Sequence, residues 1–262
     1  VETLRPHEAV LAPHHVNFDT GQILLGVQSH LLQIGTLNVL IDTCIGEHKQ
    51  RPRRPDWHER AATGYIERLA AVGLSPDDID IVLCSHLHAD HIGWDTRLAN
   101  GRWVPTFPKA RYLIGRREFD QWHAEEEKTP GSHNHGSFAD SVMPLIEASC
   151  VEFVDEGFSL CDGVNLIALP GHTEGQIGLC LCHQQKQAFF CADAIHTPVQ
   201  VFEPDWASRF CSNPQAAIAT RRSLLSQAAE ADALLIPAHL RHFSALRIRH
   251  EADGTYRPEF VP

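Results

Sequence analysis

Short apolar runs that stop abruptly at a polar residue recur along this chain. Leu40-Ile41 gives way to Asp42-Thr43, and Ile79 to Cys84 gives way to Ser85-His86. Leu166–Leu169 runs into Pro170-Gly171-His172, Ala188–Cys191 into Ala192-Asp193, and Leu234–Ile236 into Pro237-Ala238-His239. Runs of this length read as buried strands. They predict strands over 22–34 and 38–42 about a turn at Gly35, and over 79–84, 111–114, 151–154, 164–169, 177–183, 187–192 and 233–236. The short stretch after His239 reads as strand-like over 244–250. Helical spacing of Ile66, Leu69, Ala70 and Val72 predicts a helix over 57–72 that stops at Gly73. Ser75 with Pro76 opens a short helical turn, 115–124 and 138–148 read as helices, and Asn213-Pro214 caps a helix reaching about Ala231. Strand-rich halves with helices between strands predict an α/β (α+β) fold, with sheets packed face to face and helices outside. One domain over 1–262 is expected, since no linker or repeat interrupts the pattern.

Composition narrows the function. With 43% apolar and 21% charged residues, the chain has the make-up of a soluble globular protein. No stretch approaches the roughly 20 apolar residues of a membrane span, so no membrane partner is expected. The formal charge of −11 argues against nucleic acid. Arg51, Arg53 and Arg54 form a small basic cluster in a Pro-rich segment, read as a solvated loop in preference to an anion-recruiting patch. The start of the chain, with Glu2, Arg5, His7 and Glu8, lacks the apolar centre of a signal peptide. A cytoplasmic location is expected, with a removed leader left open because the first residue is Val1. The 8 cysteines are too scattered for a disulfide framework. Cys84, Cys180, Cys182 and Cys191 sit in apolar runs and read as core thiols. Cys180 and Cys182 share one strand face, which leaves a metal role open for that pair.

The feature that stands out is the 18 histidines, and above all Ser85-His86-Leu87-His88-Ala89-Asp90-His91. In an extended segment His86 and His88 point the same way while Leu87 points to the core. Imidazoles and a carboxylate this close together suit a borderline metal ion, zinc best of all. One tetrahedral ion cannot use all four side chains of so short a loop, which suggests two ions. The remaining donors are sought at other strand ends, where His172, Asp193 and His239 stand. Each alone reads as a turn or surface residue; their recurrence after a strand favours a shared site.

The set His-x-His-x-Asp-His, then Pro-Gly-His-Thr, a strand-end Asp and a late strand-end His resembles the metallo-β-lactamase superfamily pattern, from about Leu24 to His239. Asp42-Thr43 resembles that family's early Asp-Thr-Gly turn, with Cys44 in place of the glycine. The resemblance implies a four-layer αβ/βα sandwich and two Zn²⁺ per chain, other divalent metals being compatible. It places His86, His88 and His172 on one ion, Asp90, His91 and His239 on the other, and Asp193 between them. It also implies a metal-dependent hydrolase in which a metal-bridging hydroxide attacks the substrate, with Asp90 and Asp193 counted as catalytic.

Departures from individual branches of the family narrow the substrate. A bridging Asp193 does not fit the true β-lactamases, no flavin domain follows, and the short C-terminus lacks the helical extension of glutathione thioesterases. A lactone or related carboxylic ester is the expected substrate, a small molecule, with a phosphotriester as the alternative and a thioester behind both. An iron-bearing redox protein using the same ligands is the competing class. Homoserine lactonases usually place Tyr three residues after the bridging Asp; here that residue is His196, as in methyl-parathion-hydrolase relatives. His196 is expected to contact substrate or protonate a leaving group, or else to hold Asp193 in place. Trp94, Phe138 and Phe202, with Trp122 and Trp206, are candidate pocket walls. His133 and His135 sit in a loop read as a solvent-facing lid, with contact to substrate or metal as the alternative. A homodimer is compatible with all of this.

Overall fold

In the computed structural model, which describes residues 1–261, the chain forms two units, each with its own sheet and core. The first is Gln28–Asp155; the second joins Val1–Val27 to the chain from Glu156 onward.

The unit Gln28–Asp155 is built on a five-stranded sheet, β1 (His30–Ile34), β2 (Leu37–Ile41), β3 (Ile81–Cys84), β4 (Arg111–Gly115) and β5 (Val151–Val154), in that order. Only β1 and β2 are antiparallel; β2 through β5 run parallel. All four residues of β3 are buried, as an uninterrupted apolar run in the middle of a parallel sheet requires. The crossover helices are α1 (Tyr65–Ala71) and α2 (Arg116–Lys128). Leu40, Val82, Cys84, Tyr112, Ile114, Phe138 and Leu145 lie in one apolar cluster under them.

The second unit carries a seven-stranded sheet in chain order, β6 (Ser159–Cys161), β7 (Val164–Ala168), β8 (Ile177–His183), β9 (Lys186–Ala192), β10 (Leu234–Pro237), β11 (Ala245–His250) and β12 (Tyr256–Val261). Its single parallel pair is β9 with β10, bridged by the helix α3 (Pro214–Glu230). Asn213 caps that helix by accepting from the Ala216 N–H at 3.1 Å. Leu224, Leu225 and Ala228 of α3 meet Phe189, Cys191, Leu235, Leu246 and Ile248 of the sheet in a second core. Since β7 and β9 are both antiparallel to β8, β7, β9 and β10 all finish at one edge.

Two of the sequence-based elements change, and so do two readings of side-chain burial. The helix expected over 57–72 forms only from Tyr65, because the preceding segment pairs with residues 48 and 49: His48 donates to the Arg60 carbonyl and Glu59 to the Lys49 carbonyl. Positive φ at Glu59, Ala62 and Gly64 completes the break. The strand expected over 22–34 is interrupted after Ile23, since Gly26 turns away to donate to the His239 carbonyl at 2.9 Å. The basic cluster is not uniformly solvated. Arg51 is fully buried, its guanidinium clamping Asp140 through Nη1–Oδ2 at 2.6 Å and Nη2–Oδ1 at 2.9 Å. No disulfide joins any cysteine among the described residues. Cys84 and Cys191 are core thiols as expected, whereas Cys180 is half-buried and Cys182 exposed. No helix among the described residues is long and apolar enough to cross a membrane.

His15 shows what burial costs a titratable group. It is 1% exposed, stacks on Phe260 at 4.9 Å, and neither ring nitrogen has a hydrogen-bond partner among the described residues. Desolvation lowers its pKa to about 4, with positive neighbours adding to the effect. The folded form therefore excludes a proton that the unfolded chain accepts near 6.5. Stability contributed by neutral His15 is complete above that value and is lost as pH falls toward 4. His15→Phe should flatten the acid limb of a stability-versus-pH curve over that window, as urea midpoints across a pH series would show.

Candidate metal centre

Four predicted donors belong to the unit Gln28–Asp155, on the loop that leaves the C-terminal end of β3. Side chains at such an edge of a parallel sheet converge in the crevice where ligands bind. His86 and His91 are buried and His88 and Asp90 half-buried. Nε2 of His86 stands 3.0 Å from Nδ1 of His88. Two ring nitrogens at this separation sit well when their lone pairs share a cation, since each zinc–nitrogen bond is about 2.0–2.1 Å. Asp42, at the end of β2, is the residue sequence reasoning left without a role. Its carboxylate accepts from Ser85 N and Oγ, both at 2.8 Å, and faces Nδ1 of His91 at 2.8 Å. A proton on that Nδ1 leaves the ring's lone pair on Nε2, the atom a metal would use. Asp42 adopts φ +56, a left-handed conformation that Asp tolerates and that turns the carboxylate back toward the loop.

The other side of the turn is zipped to the same loop. Thr43 N donates to the His91 carbonyl at 2.5 Å, Gly93 N to Cys44 at 2.7 Å, and Trp94 N to Thr43 at 3.0 Å. A Cβ on Gly93 would lie 1.9 Å from the Ile45 carbonyl carbon, so this strand-like contact exists only because residue 93 has no side chain. Beneath it, Asp95 is fully buried and accepts from Thr43 Oγ1 at 2.8 Å and Cys84 Sγ at 3.2 Å. Burial pushes its carboxyl up to about 7, against the pull of those two donors.

Three donors and His196 belong to the second unit. His172 follows β7, Asp193 follows β9 and His239 follows β10, and these strands finish at one edge of their sheet. Three imidazole nitrogens gather on the Asp193 carboxylate. His239 Nε2 lies 3.1 Å from Oδ1; His172 Nε2 and His196 Nε2 lie 3.2 and 3.3 Å from Oδ2. All four residues are nearly excluded from solvent, and His172, Asp193 and His196 form a group that could hold an ion. Asp193 gets there because Ala192 takes φ +42 as the strand ends, a strained conformation for a residue with a Cβ. His239 Nδ1 faces the Gly26 carbonyl at 2.7 Å, which again leaves the lone pair on Nε2. Desolvation lowers the His196 pKa to about 4 against the opposing charge of Asp193, so the ring is neutral at pH 7.

In each half, then, imidazoles and a carboxylate stand wholly or partly withdrawn from solvent, and His91 and His239 are oriented by a hydrogen bond at Nδ1. Such a donor set fits a borderline divalent ion of the zinc kind. The proposed wall residues are less uniform. Trp94 is 8% exposed and stacks on Tyr65, Phe138 lies within the core cluster, and half-buried Phe202 stacks on His7 at 3.8 Å. His133 is exposed and His135 half-buried, with Asn134 between them turned onto the ligand loop.

A family model, "Metallo-beta-lactamase superfamily", matches residues 23–239. The chain belongs to the metallo-β-lactamase superfamily and is a metal-dependent hydrolase. It is 26% identical over 209 residues to the N-acyl homoserine lactonase AiiB of Agrobacterium fabrum, covering 74% of this chain and 72% of that one. It is 25% identical over 151 residues to an N-acyl homoserine lactonase of Bacillus thuringiensis, covering 54% and 52%. Among solved structures, hydrolase AbOPH of the β-lactamase superfamily superimposes with a TM-score of 0.80 at 19% identity, covering 98% of this chain and 87% of that one. The dizinc quorum-quenching lactonase AidC, in complex with a product, gives 0.72 at 22% identity, covering 91% and 80%. These likenesses bear out the α/β fold class and the family read from the ligand pattern.

Asp42 gives the prediction that arises here. In Asp42→Asn an amide N–H₂ would face Nδ1 of His91, favouring the tautomer with its lone pair on the wrong nitrogen. Zinc affinity should fall about 10–100-fold with the fold retained, as competition with a chromogenic chelator would measure.

Proposed function

We propose that the chain, acting as one hydrolase domain over 1–262, is a dinuclear zinc enzyme that opens a lactone or a related carboxylic ester. The observation that carries this is the buried Asp193 carboxylate ringed by three imidazole nitrogens within 3.3 Å, in a family member whose curated relatives are homoserine lactonases. His86, His88 and His172 would hold one ion and Asp90, His91 and His239 the other, with Asp193 serving both. Two such ions supply an acidified water near neutral pH and an electrophile that polarises the scissile carbonyl.

The chain's own residues prepare that chemistry. Asp42 and the Gly26 carbonyl fix the tautomers of His91 and His239. Asp193 holds negative charge where the imidazoles converge, so the site has an anion that a neutral ester does not have to bring. His196 Nε2 lies 3.3 Å from Asp193 and burial keeps the ring neutral at pH 7, so it would meet the substrate beside the carboxylate or hold Asp193 in place. His196→Ala should then lower kcat more than KM, with zinc content unchanged.

His196 also supports a second reading, hydrolysis of a phosphotriester, because it stands where homoserine lactonases usually carry Tyr. A panel of γ- and δ-lactones, aryl esters and paraoxon-like triesters separates the two. Lactones are expected to give the higher kcat/KM; triester turnover without lactone opening would overturn the first reading.

A further inference from the structure

The ligand loop of β3 is held from its outer side by groups that no donor assignment includes. Glu118, on α2, is 1% exposed, and its Oε1 accepts from the backbone N–H of Leu87 at 2.9 Å and from Trp122 Nε1 at 2.7 Å. Trp122, one turn on, presents its indole edge-on to the His88 ring at 5.5 Å. From the turn Asn134–Gly136, the Asn134 side chain accepts from Ala89 N at 3.0 Å and donates to the Leu87 carbonyl. Asn134 thereby acts as one rung of a β-ladder, pairing with both backbone groups that flank His88. Its own backbone sits at φ +44 and that of His135 at φ +57, a conformation disfavoured for residues with a side chain.

We propose that Glu118 and Asn134 are positioning residues of the metal centre: together they clamp Leu87 and Ala89 so that His88 and Asp90 are presented in a fixed geometry. This rests on the zinc reading above. Glu118→Ala and Asn134→Ala should each weaken zinc binding about tenfold or more and speed amide hydrogen exchange at Leu87 or Ala89 in the metal-free protein. Glu118→Gln, which keeps the acceptor oxygen, should restore both. Unchanged zinc affinity and unchanged exchange in the two alanine variants would overturn the proposal. If the wild-type protein held no zinc, the metal reading would fail, while the exchange rates would still decide whether the clamp exists.

A second site rests on a different observation. Cys180 and Cys182 lie on one face of β8 with their sulfurs 3.6 Å apart, the first half-buried and the second exposed. A disulfide needs about 2.05 Å, whereas two sulfurs bonded at about 2.3 Å to one tetrahedral ion stand roughly 3.7 Å apart. The geometry points to a dithiol chelate for a thiophilic ion, a soft divalent metal or a trivalent arsenical. With phenylarsine oxide as probe, two S–H bonds and the As=O bond break, two As–S bonds form and one water leaves. Mass spectrometry of the holoenzyme should show one phenylarsenic per chain, resistant to excess monothiol and removed by a dithiol. Cys182→Ser and Cys180→Ser should each abolish the resistant adduct. An adduct that persists in the Cys180→Ser, Cys182→Ser double variant, or none in the wild type, would overturn the assignment.

Discussion

Replacing Asp193 by Ala should reduce lactone hydrolysis by about a thousandfold or more while the fold survives. The argument runs from the backbone outward. Ala192 ends β9 in a left-handed conformation, and the carboxylate it delivers is met by His172, His196 and His239 within 3.3 Å. Removing it takes away a proposed ligand and the carboxylate on which three imidazole nitrogens converge. The backbone cost is small by comparison, since residue 193 is outside the left-handed region and Ala can adopt its conformation. Steady-state rates, zinc content and circular dichroism on the same sample check it. A variant with wild-type rate would remove Asp193 from the centre.

The largest effect on stability is expected at Asp140, which no functional reading singles out. Arg51 and Lys49 are both fully buried, and Asp140 is the carboxylate that faces them. Lys49 also donates to Thr96 Oγ1 at 2.6 Å and Ser141 Oγ at 3.1 Å, and lies over the Trp103 ring at 3.7 Å. Burial lowers its pKa to about 8 even with Asp140 opposing the shift. Asp140→Ala would leave two cations without their counter-charge, at a cost of about 3–5 kcal/mol. For a chain of this size that is a fall in Tm of roughly 10 °C. Asp140→Asn keeps hydrogen-bond acceptance without the charge and should fall between. A loss under about 2 °C by calorimetry for the alanine variant would contradict the account.

The ligand loop, the strand ends and most strands were legible because burial imposes them. β3 is apolar throughout since both its faces are covered, and it stops where the metal donors begin. What stayed hidden depends on partners remote in sequence. Arg51 reads as solvated until Asp140, far along the chain, is seen to neutralise it. The helix expected over 57–72 loses its first part because the Glu59 and Thr63 N–H groups donate to Lys49 and Glu47 instead, and the Arg60 carbonyl accepts from His48. Asp42 was visible only as part of a turn, and its bond to His91 appears once β2 and β3 lie side by side. Asn134 left no periodic signal at all; a lone Asn between two histidines reads as loop until its amide is found on Leu87 and Ala89. The substrate is the least legible feature, because the ligand pattern does not constrain the side chains that would recognise it, and the expected wall residues Trp94, Phe138 and Phe202 pack on Tyr65, within the core and on His7.

The central claim of the proposed function is that hydrolysis by this chain requires two zinc ions. Titrating metal-stripped protein with zinc while following lactone opening tests it most directly. The account predicts activity that rises with added zinc and saturates near two equivalents per chain. Full turnover in metal-free protein, or saturation of the wild type well below one equivalent, would contradict it.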